Sequence, residues 1–174
     1  MTSLPAGSPF PKIDVAQLGG GTLTLGTPRD DHDWQLVVVY RGLHCPICKT
    51  YLSKLQELEA DFNELGVDVV AVSADPEAKA RAFAEEKELT LALGYDLSIA
   101  QMKTLGLYIS DPRSPQETDR PFAEPGLFVI NAEGEVQIVD VSNAPFARPE
   151  LQGVANGIKF VRGNDYPVRG THEG

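Results

Sequence analysis

Leu36-Val37-Val38-Val39-Tyr40-Arg41-Gly42-Leu43-His44-Cys45-Pro46-Ile47-Cys48 is the stretch from which the rest of the chain can be read. Its first half is a continuous apolar, β-branched run, the pattern of a central strand covered on both faces. Its second half holds the only two cysteines of the 174-residue chain, spaced C-x-x-C. Beyond them Ile47, Tyr51, Leu55, Leu58, Phe62 and Leu65 recur at helical spacing, with Lys54, Glu57, Asp61 and Glu64 on the other face. The spacing predicts a helix over Pro46–Leu65, ended by Gly66. Two thiols at a strand-to-helix junction can open and close a disulfide between them. A thiolate there is stabilised by unpaired backbone N–H groups and by the helix dipole. Thiol redox chemistry is therefore the expected work of the chain.

The two thiols differ in place. Cys45 directly precedes Pro46 and takes the helix N-cap, where an exposed sulfur near free N–H groups would ionise readily. Cys48 lies one turn in, on the side shared with Tyr51, Leu52 and Leu55, and should be more buried and less ionised. The local pattern thus assigns Cys45 as attacking thiolate and Cys48 as resolving thiol, joined reversibly as an intramolecular disulfide. Arg41 could hold the thiolate by charge, or serve only a salt bridge at the strand end. His44 could assist proton transfer, or be an ordinary loop residue. A zinc site needs about four ligands, and His32, His44 and His172 are not spaced as a ligand pair. No metal or other cofactor is expected.

Composition narrows the partners. The formal net charge is −10 with no basic cluster, which argues against nucleic acid or an anionic membrane. No window approaches a membrane span. Met1–Gly7 lacks the basic and apolar regions of a signal peptide, so the expected location is cytoplasmic. In a reducing compartment a close cysteine pair reads as catalytic or metal-binding rather than as a structural staple.

Outward from the central stretch, Ile13–Val15 and Thr22–Leu25 read as short strands about the turn Gly19-Gly20-Gly21. Val67–Ser73 is the next buried strand. Asp75-Pro76-Glu77 reads as a helix start, with Asp75 as cap, and that helix runs to about Lys87. Leu89–Leu93 is a short apolar segment, and Ser98–Leu105 a short helix. Ser110–Glu124 is proline-rich and loop-like. Gly126–Ile130 and Glu135–Val141 form a hairpin, and Arg148-Pro149-Glu150 opens a last helix ending near Val161. Residues 1–174 read as one domain, with 162–174 a loose tail. Strands alternating with helices, closed by a hairpin, give an α/β fold: a mixed central sheet with helices on both faces and an N-terminal β extension.

C-x-x-C after the strand of a βαβ unit is the redox signature of the thioredoxin-like fold. The run Val37–Cys48, with Val69-Val70-Ala71-Val72-Ser73-Ala74-Asp75 and Gly126-Leu127-Phe128-Val129-Ile130-Asn131-Ala132-Glu133-Gly134, resembles the peroxiredoxin-like proteins of the alkyl hydroperoxide reductase and thiol-specific antioxidant group. The likeness covers roughly residues 8–160. It implies an antioxidant peroxidase, a peroxide or disulfide substrate, a thiol reductant such as a thioredoxin or glutathione system, and it admits a homodimer. Against that pattern Cys45 stands where peroxidases of the group usually carry a threonine, and Arg41 where they carry a proline. If Cys48 holds the place of the peroxide-reacting cysteine, the two thiol roles are swapped. Pro125 stands where an arginine is usual, which is the thioredoxin arrangement. That likeness implies a cis Glu124–Pro125 bond beside the thiols, offering the Glu124 backbone to an extended substrate. Arg120 is the candidate to replace the missing arginine. Three functions follow: a thiol-dependent peroxidase, a general thiol–disulfide oxidoreductase, or a non-catalytic redox sensor or binding module.

Overall fold

The structure, a computed structural model, describes residues 3–174. Nine strands and four helices are present among them: β1 Ile13–Gln17, β2 Thr22–Leu25, β3 Trp34–Val39, α1 Pro46–Glu64, β4 Val67–Val72, α2 Glu77–Lys87, β5 Ala92–Tyr95, α3 Ile99–Thr104, β6 Ile109–Ser110, β7 Phe122–Ala123, β8 Gly126–Ile130, β9 Val136–Val141 and α4 Leu151–Gly163. Seven strands form one mixed sheet in the order β2-β1-β5-β4-β3-β8-β9, and β6 pairs with β7 in a short ribbon. β3, β4 and β5 run parallel, whereas β8 lies antiparallel to β3 with Gly126 opposite Val39. The end of β3, the end of β4 and the start of β8 therefore meet at one edge of the sheet.

The apolar runs decide the centre. All six residues of β3 and all six of β4 are buried, as continuous runs covered on both faces must be. One face, with Leu36, Val38, Val69 and Ala71, packs against Leu52, Leu55 and Phe62 of α1, Phe83 of α2, and Leu151, Ala155 and Ile158 of α4. The other face, with Val37, Val39, Val70 and Val72, packs against Met102 of α3, Phe122 of the ribbon, and Leu23 and Leu25 of the N-terminal hairpin. Helices thus lie on both faces of a mixed sheet, the architecture expected from the sequence.

Several elements differ from the sequence reading. The apolar segment Leu89–Leu93 contributes to a true sheet strand, shifted to Ala92–Tyr95, because its partners are the end of β4 and the end of β1. The loop-like stretch after Ile109 contains the two-residue strands of the ribbon, too short to show a period. Asp75 does not cap α2: the N-cap is Pro76, with no side-chain cap, and the Asp75 carboxylate instead accepts the Leu43 N–H at 2.8 Å. Ser98 does cap α3, in a reciprocal capping box with Gln101. No helix among the described residues is long and apolar enough to cross a membrane.

Candidate active site

The edge where β3, β4 and β8 meet carries the thiols. β3 ends at Val39, and Tyr40 to His44 cross above the sheet before α1 begins. Gly42 sits at φ +138°, a conformation that L side chains rarely adopt, and a Cβ there would lie 2.7 Å from Asp75 Oδ1. Glycine lets the turn press onto the Asp75 carboxylate, which then takes the Leu43 N–H. Burial pushes the Asp75 pKa up, opposed by that backbone bond. This clamp fixes the start of α1 and so the position of Cys45.

Cys45 is the N-cap of α1, and its sulfur accepts the Cys48 N–H at 3.3 Å. The expectation of an exposed sulfur is overturned: Cys45 is 1% exposed and belongs to the core cluster with Tyr40 and Leu52. The cap geometry explains this. The sulfur that accepts the Cys48 N–H is also packed into the core cluster above the end of β3. Its pKa nonetheless falls to about 6, because the Cys48 thiol and N–H and the Arg41 guanidinium all favour the anion over the cost of burial. Cys48, fully buried on the inner face, has its pKa raised by the hydrogen bond to Cys45 and by burial. Both cysteines are free thiols.

Arg41 lies beside Cys45 with its charge shared. Arg41 Nε stands 2.9 Å from Glu124 Oε1, in ion-pair contact but off line for a hydrogen bond, so both atoms are left without a hydrogen-bond partner. The guanidinium rests over Phe122, 4.8 Å from the ring centroid. Glu124 is buried, and its other oxygen accepts the Ser110 hydroxyl at 2.6 Å. His44 packs its ring edge-on to Phe122, with both ring nitrogens buried and unpartnered. Burial, then the nearby Arg41 charge, lower its pKa and favour the neutral ring.

Pro125 is where the structure departs furthest from the sequence reading. No cis peptide bond is present among the described residues, so Glu124–Pro125 is trans. The backbone on either side is already engaged: Glu124 N–H donates to the Tyr108 carbonyl at 2.8 Å, and the Pro125 carbonyl accepts the Ser142 N–H at 3.0 Å. The chain passes straight from β7 into β8, and the Glu124 N–H is not on offer to an extended substrate. Arg120 does not replace an active-site arginine either. It bonds Asp96 Oδ1 at 3.1 Å and the Ala74 carbonyl at 3.3 Å.

The cation that sequence reading missed is Arg148. It lies in the segment before α4, and its Nη1 stands 3.5 Å from Cys48 Sγ. Its guanidinium covers the Tyr51 ring at 4.2 Å, and the Tyr51 hydroxyl donates to the Pro149 carbonyl at 2.7 Å. Beside it an open groove of about 250 Å³, lined by Ile47, Tyr51, Pro145, Phe146 and Arg148, leads toward the cysteine turn. The larger concavity of about 730 Å³ lies between the N-terminal segment and β9 and contains none of these residues. The arrangement holds a sulfur that favours the thiolate, Cys45, one helical turn from a second thiol, Cys48.

Comparison with known proteins agrees with this chemistry. Residues 6–139 match the AhpC/TSA family. The alkyl hydroperoxide reductase C of Bacillus subtilis (strain 168) is 26% identical over 134 residues, spanning 75% of this chain and 69% of that protein. Among solved structures, a peroxiredoxin-like protein from Aquifex aeolicus superposes with a TM-score of 0.76 at 23% identity, covering 92% of this chain and 90% of that one. The peroxidoxin BcpB of Mycobacterium tuberculosis gives 0.74 at 19% identity, covering 91% and 99%. These two likenesses bear on the fold, which is that of the peroxiredoxins. The chain belongs to the AhpC/TSA family and is an oxidoreductase of the thiol-dependent kind.

Proposed function

We propose that the chain reduces peroxides through Cys45, with Cys48 as the resolving thiol. The observation that carries this reading is the placing of Cys45: an N-cap sulfur beside Arg41, with a pKa near 6 that leaves it anionic at neutral pH. The Cys45 thiolate attacks the terminal peroxide oxygen, the O–O bond breaks, and the alkoxide or hydroxide leaves and takes up a proton. Cys45 becomes a sulfenic acid. Cys48 then loses its proton and attacks the Cys45 sulfur. The S–S bond forms, the S–O bond breaks, and water leaves. A donor thiol of the thioredoxin or glutathione kind restores both thiols by exchange.

Exchange with protein disulfides is the second reading. The C-x-x-C pair itself favours it, but the engaged Glu124 N–H takes away the backbone edge such a substrate would pair with. One experiment separates the two: reduced protein assayed side by side for peroxide consumption and for reduction of insulin disulfides. Peroxide consumption with slow or no insulin reduction is expected. Insulin reduction alone would sink the peroxidase assignment. Cys45→Ser should abolish turnover, while Cys48→Ser should complete one stoichiometric reaction and stop at the sulfenic acid or a mixed disulfide. The reverse pattern would exchange the two roles.

A further inference from the structure

We propose that Arg148 is a catalytic residue that carries Cys48 through its thiolate state, both when Cys48 closes the disulfide and when it leaves on reduction. The proposal rests on the reading of Cys45 and Cys48 as a cycling pair and adds the group that makes the second thiol competent.

The two cysteines have separate cations. Arg41 serves Cys45, but Glu124 stands 2.9 Å from its Nε and neutralises much of its charge. Arg148 stands 3.5 Å from Cys48 Sγ, and among the described residues no carboxylate forms an ion pair with it. Its Nη2 is sealed from solvent without an acceptor. The guanidinium as a whole is part-buried, so its charge is incompletely screened by water and favours an anion arising beside it. The sulfur at Nη1 is the group the geometry puts there. The arginine is also held rigidly. Tyr51 lies three residues after Cys48, so one face of α1 presents both the sulfur and the ring on which the guanidinium rests. The Tyr51 hydroxyl then ties the neighbouring Pro149 carbonyl.

Cys48 needs such help. The hydrogen bond to Cys45 and its burial both push its thiol toward the protonated form, and Arg148 is the charge that opposes them. In the closing step Cys48 Sγ loses its proton and attacks the Cys45 sulfur, expelling hydroxide that becomes water. In the opening step a donor thiolate attacks Cys45 Sγ, the S–S bond breaks, and its electron pair goes to Cys48 Sγ, which is later protonated. Negative charge collects on Cys48 in both steps. The first attack of Cys45 on peroxide places none there.

The test separates these steps. Wild type, Arg148→Gln and Arg148→Lys are followed by stopped flow in two half-reactions: single-turnover oxidation of Cys45 by hydrogen peroxide, and opening of the preformed disulfide by dithiothreitol. The pH profile of Cys48 alkylation is recorded in a Cys45→Ser background. Loss of a charge-assisted hydrogen bond predicts that Arg148→Gln slows disulfide opening by about tenfold or more and moves Cys48 alkylation to higher pH. Cys45 oxidation should stay within about twofold on the same principle, and Arg148→Lys should recover part of the loss. Unchanged disulfide opening, or equal slowing of both half-reactions, would overturn the proposal. If Arg148→Gln does not fold, Arg148→Lys decides: a pH profile of Cys48 identical to wild type counts against Arg148, and an upward shift supports it. A wild-type protein that forms the disulfide with diamide yet consumes no peroxide would end the peroxidase reading alone, since the opening reaction would still report on Arg148.

Discussion

The two ends of the central strands treat buried polar groups in opposite ways. At the end where β3 and β4 begin, Gln35 and Asp68 sit side by side, both buried, and both are fully engaged. The Gln35 side chain accepts Gly26 N–H at 2.6 Å and donates to the Thr27 carbonyl and to Asp68. Asp68 also takes the Arg29 N–H and its guanidinium at 2.7 Å. At the other end gather the buried side-chain atoms that, among the described residues, have no hydrogen-bond partner: Tyr40 Oη, Arg41 Nε, both His44 nitrogens, Glu124 Oε1 and Arg148 Nη2. Folding alone does not favour such a cluster, because each unsatisfied buried group costs about 1–3 kcal/mol. The first end looks built for stability. The second end, which carries the two sulfurs, leaves Tyr40 Oη, the His44 nitrogens and Arg148 Nη2 without partners and holds Arg41 and Glu124 in an ion pair that is off line for a hydrogen bond.

The comparison is sharpened first by breaking the satisfied end. Asp68→Ala removes the acceptor shared by Arg29 and Gln35 and leaves both without their partner. Removing one member of a buried pair typically costs 3–5 kcal/mol, and the part exposure of Arg29 puts the expected loss at about 3 kcal/mol. Urea unfolding measures it. The thiolate titration of Cys45 should not move, because that network lies at the far end of β3. A shifted titration in a still-folded protein would show that the two ends are not independent.

The next effect belongs to the reactive end. With a pKa of about 6, Cys45 is mostly thiolate at pH 7, about thirty times the thiolate fraction of an ordinary cysteine. The folded-state pKa is depressed, so the anion is present above about pH 6 and is lost as pH falls through that value. Thiolate absorbance in the reduced protein should therefore show a first step near pH 6, well separated from any second. Peroxide turnover should decline below the same pH. Arg41→Gln should move the first step upward. A single step near the ordinary cysteine value would remove the basis for naming Cys45 the attacking thiol.

How much of this could be read from the sequence follows from distance along the chain. The β3 run, the C-x-x-C turn and the hairpin of β8 and β9 are local patterns that appear in the structure nearly as read, and the α1 stripe keeps Leu55, Leu58 and Phe62 buried but leaves Ile47 exposed and buries Leu52. Arg41, His44, Cys45 and Cys48 share one short stretch, so their meeting was legible. Arg148 reaches Cys48 across 100 residues, and Asp75 reaches Leu43 across 32, with no spacing rule to announce either. Asp75 departs from its local signal for a physical reason. An Asp-Pro-Glu stretch carries a helix-cap signal, but the pressed turn at Gly42 offered its carboxylate a buried backbone donor instead. For Pro125 the expectation of a cis bond comes from likeness to a fold family, not from its neighbours in the chain. The backbone bonds of Glu124 and Pro125, made to residues 108 and 142, decided otherwise.

The smallest expected effect is at the unpartnered Tyr40 hydroxyl. Tyr40 is fully buried, its ring packs 5.1 Å from that of Phe83, and its hydroxyl has no partner. Burial pushes its pKa up, so the hydroxyl is neutral and remains a donor. In most proteins Tyr→Phe at a buried site removes a hydrogen bond and costs stability. Here it removes a group that has been desolvated without return. Tyr40→Phe should leave stability unchanged or raise it by about 1 kcal/mol, read as a higher urea midpoint at constant slope. Peroxide turnover should fall, because the hydroxyl lies close enough to Cys48 for the charge on that sulfur to act on it. A gain in stability bought with a loss in rate is the signature of a group kept for chemistry. A clear loss of stability would mean that the hydroxyl is satisfied in solution. The contrast between the two ends of the sheet would then rest on the arginines and His44 alone.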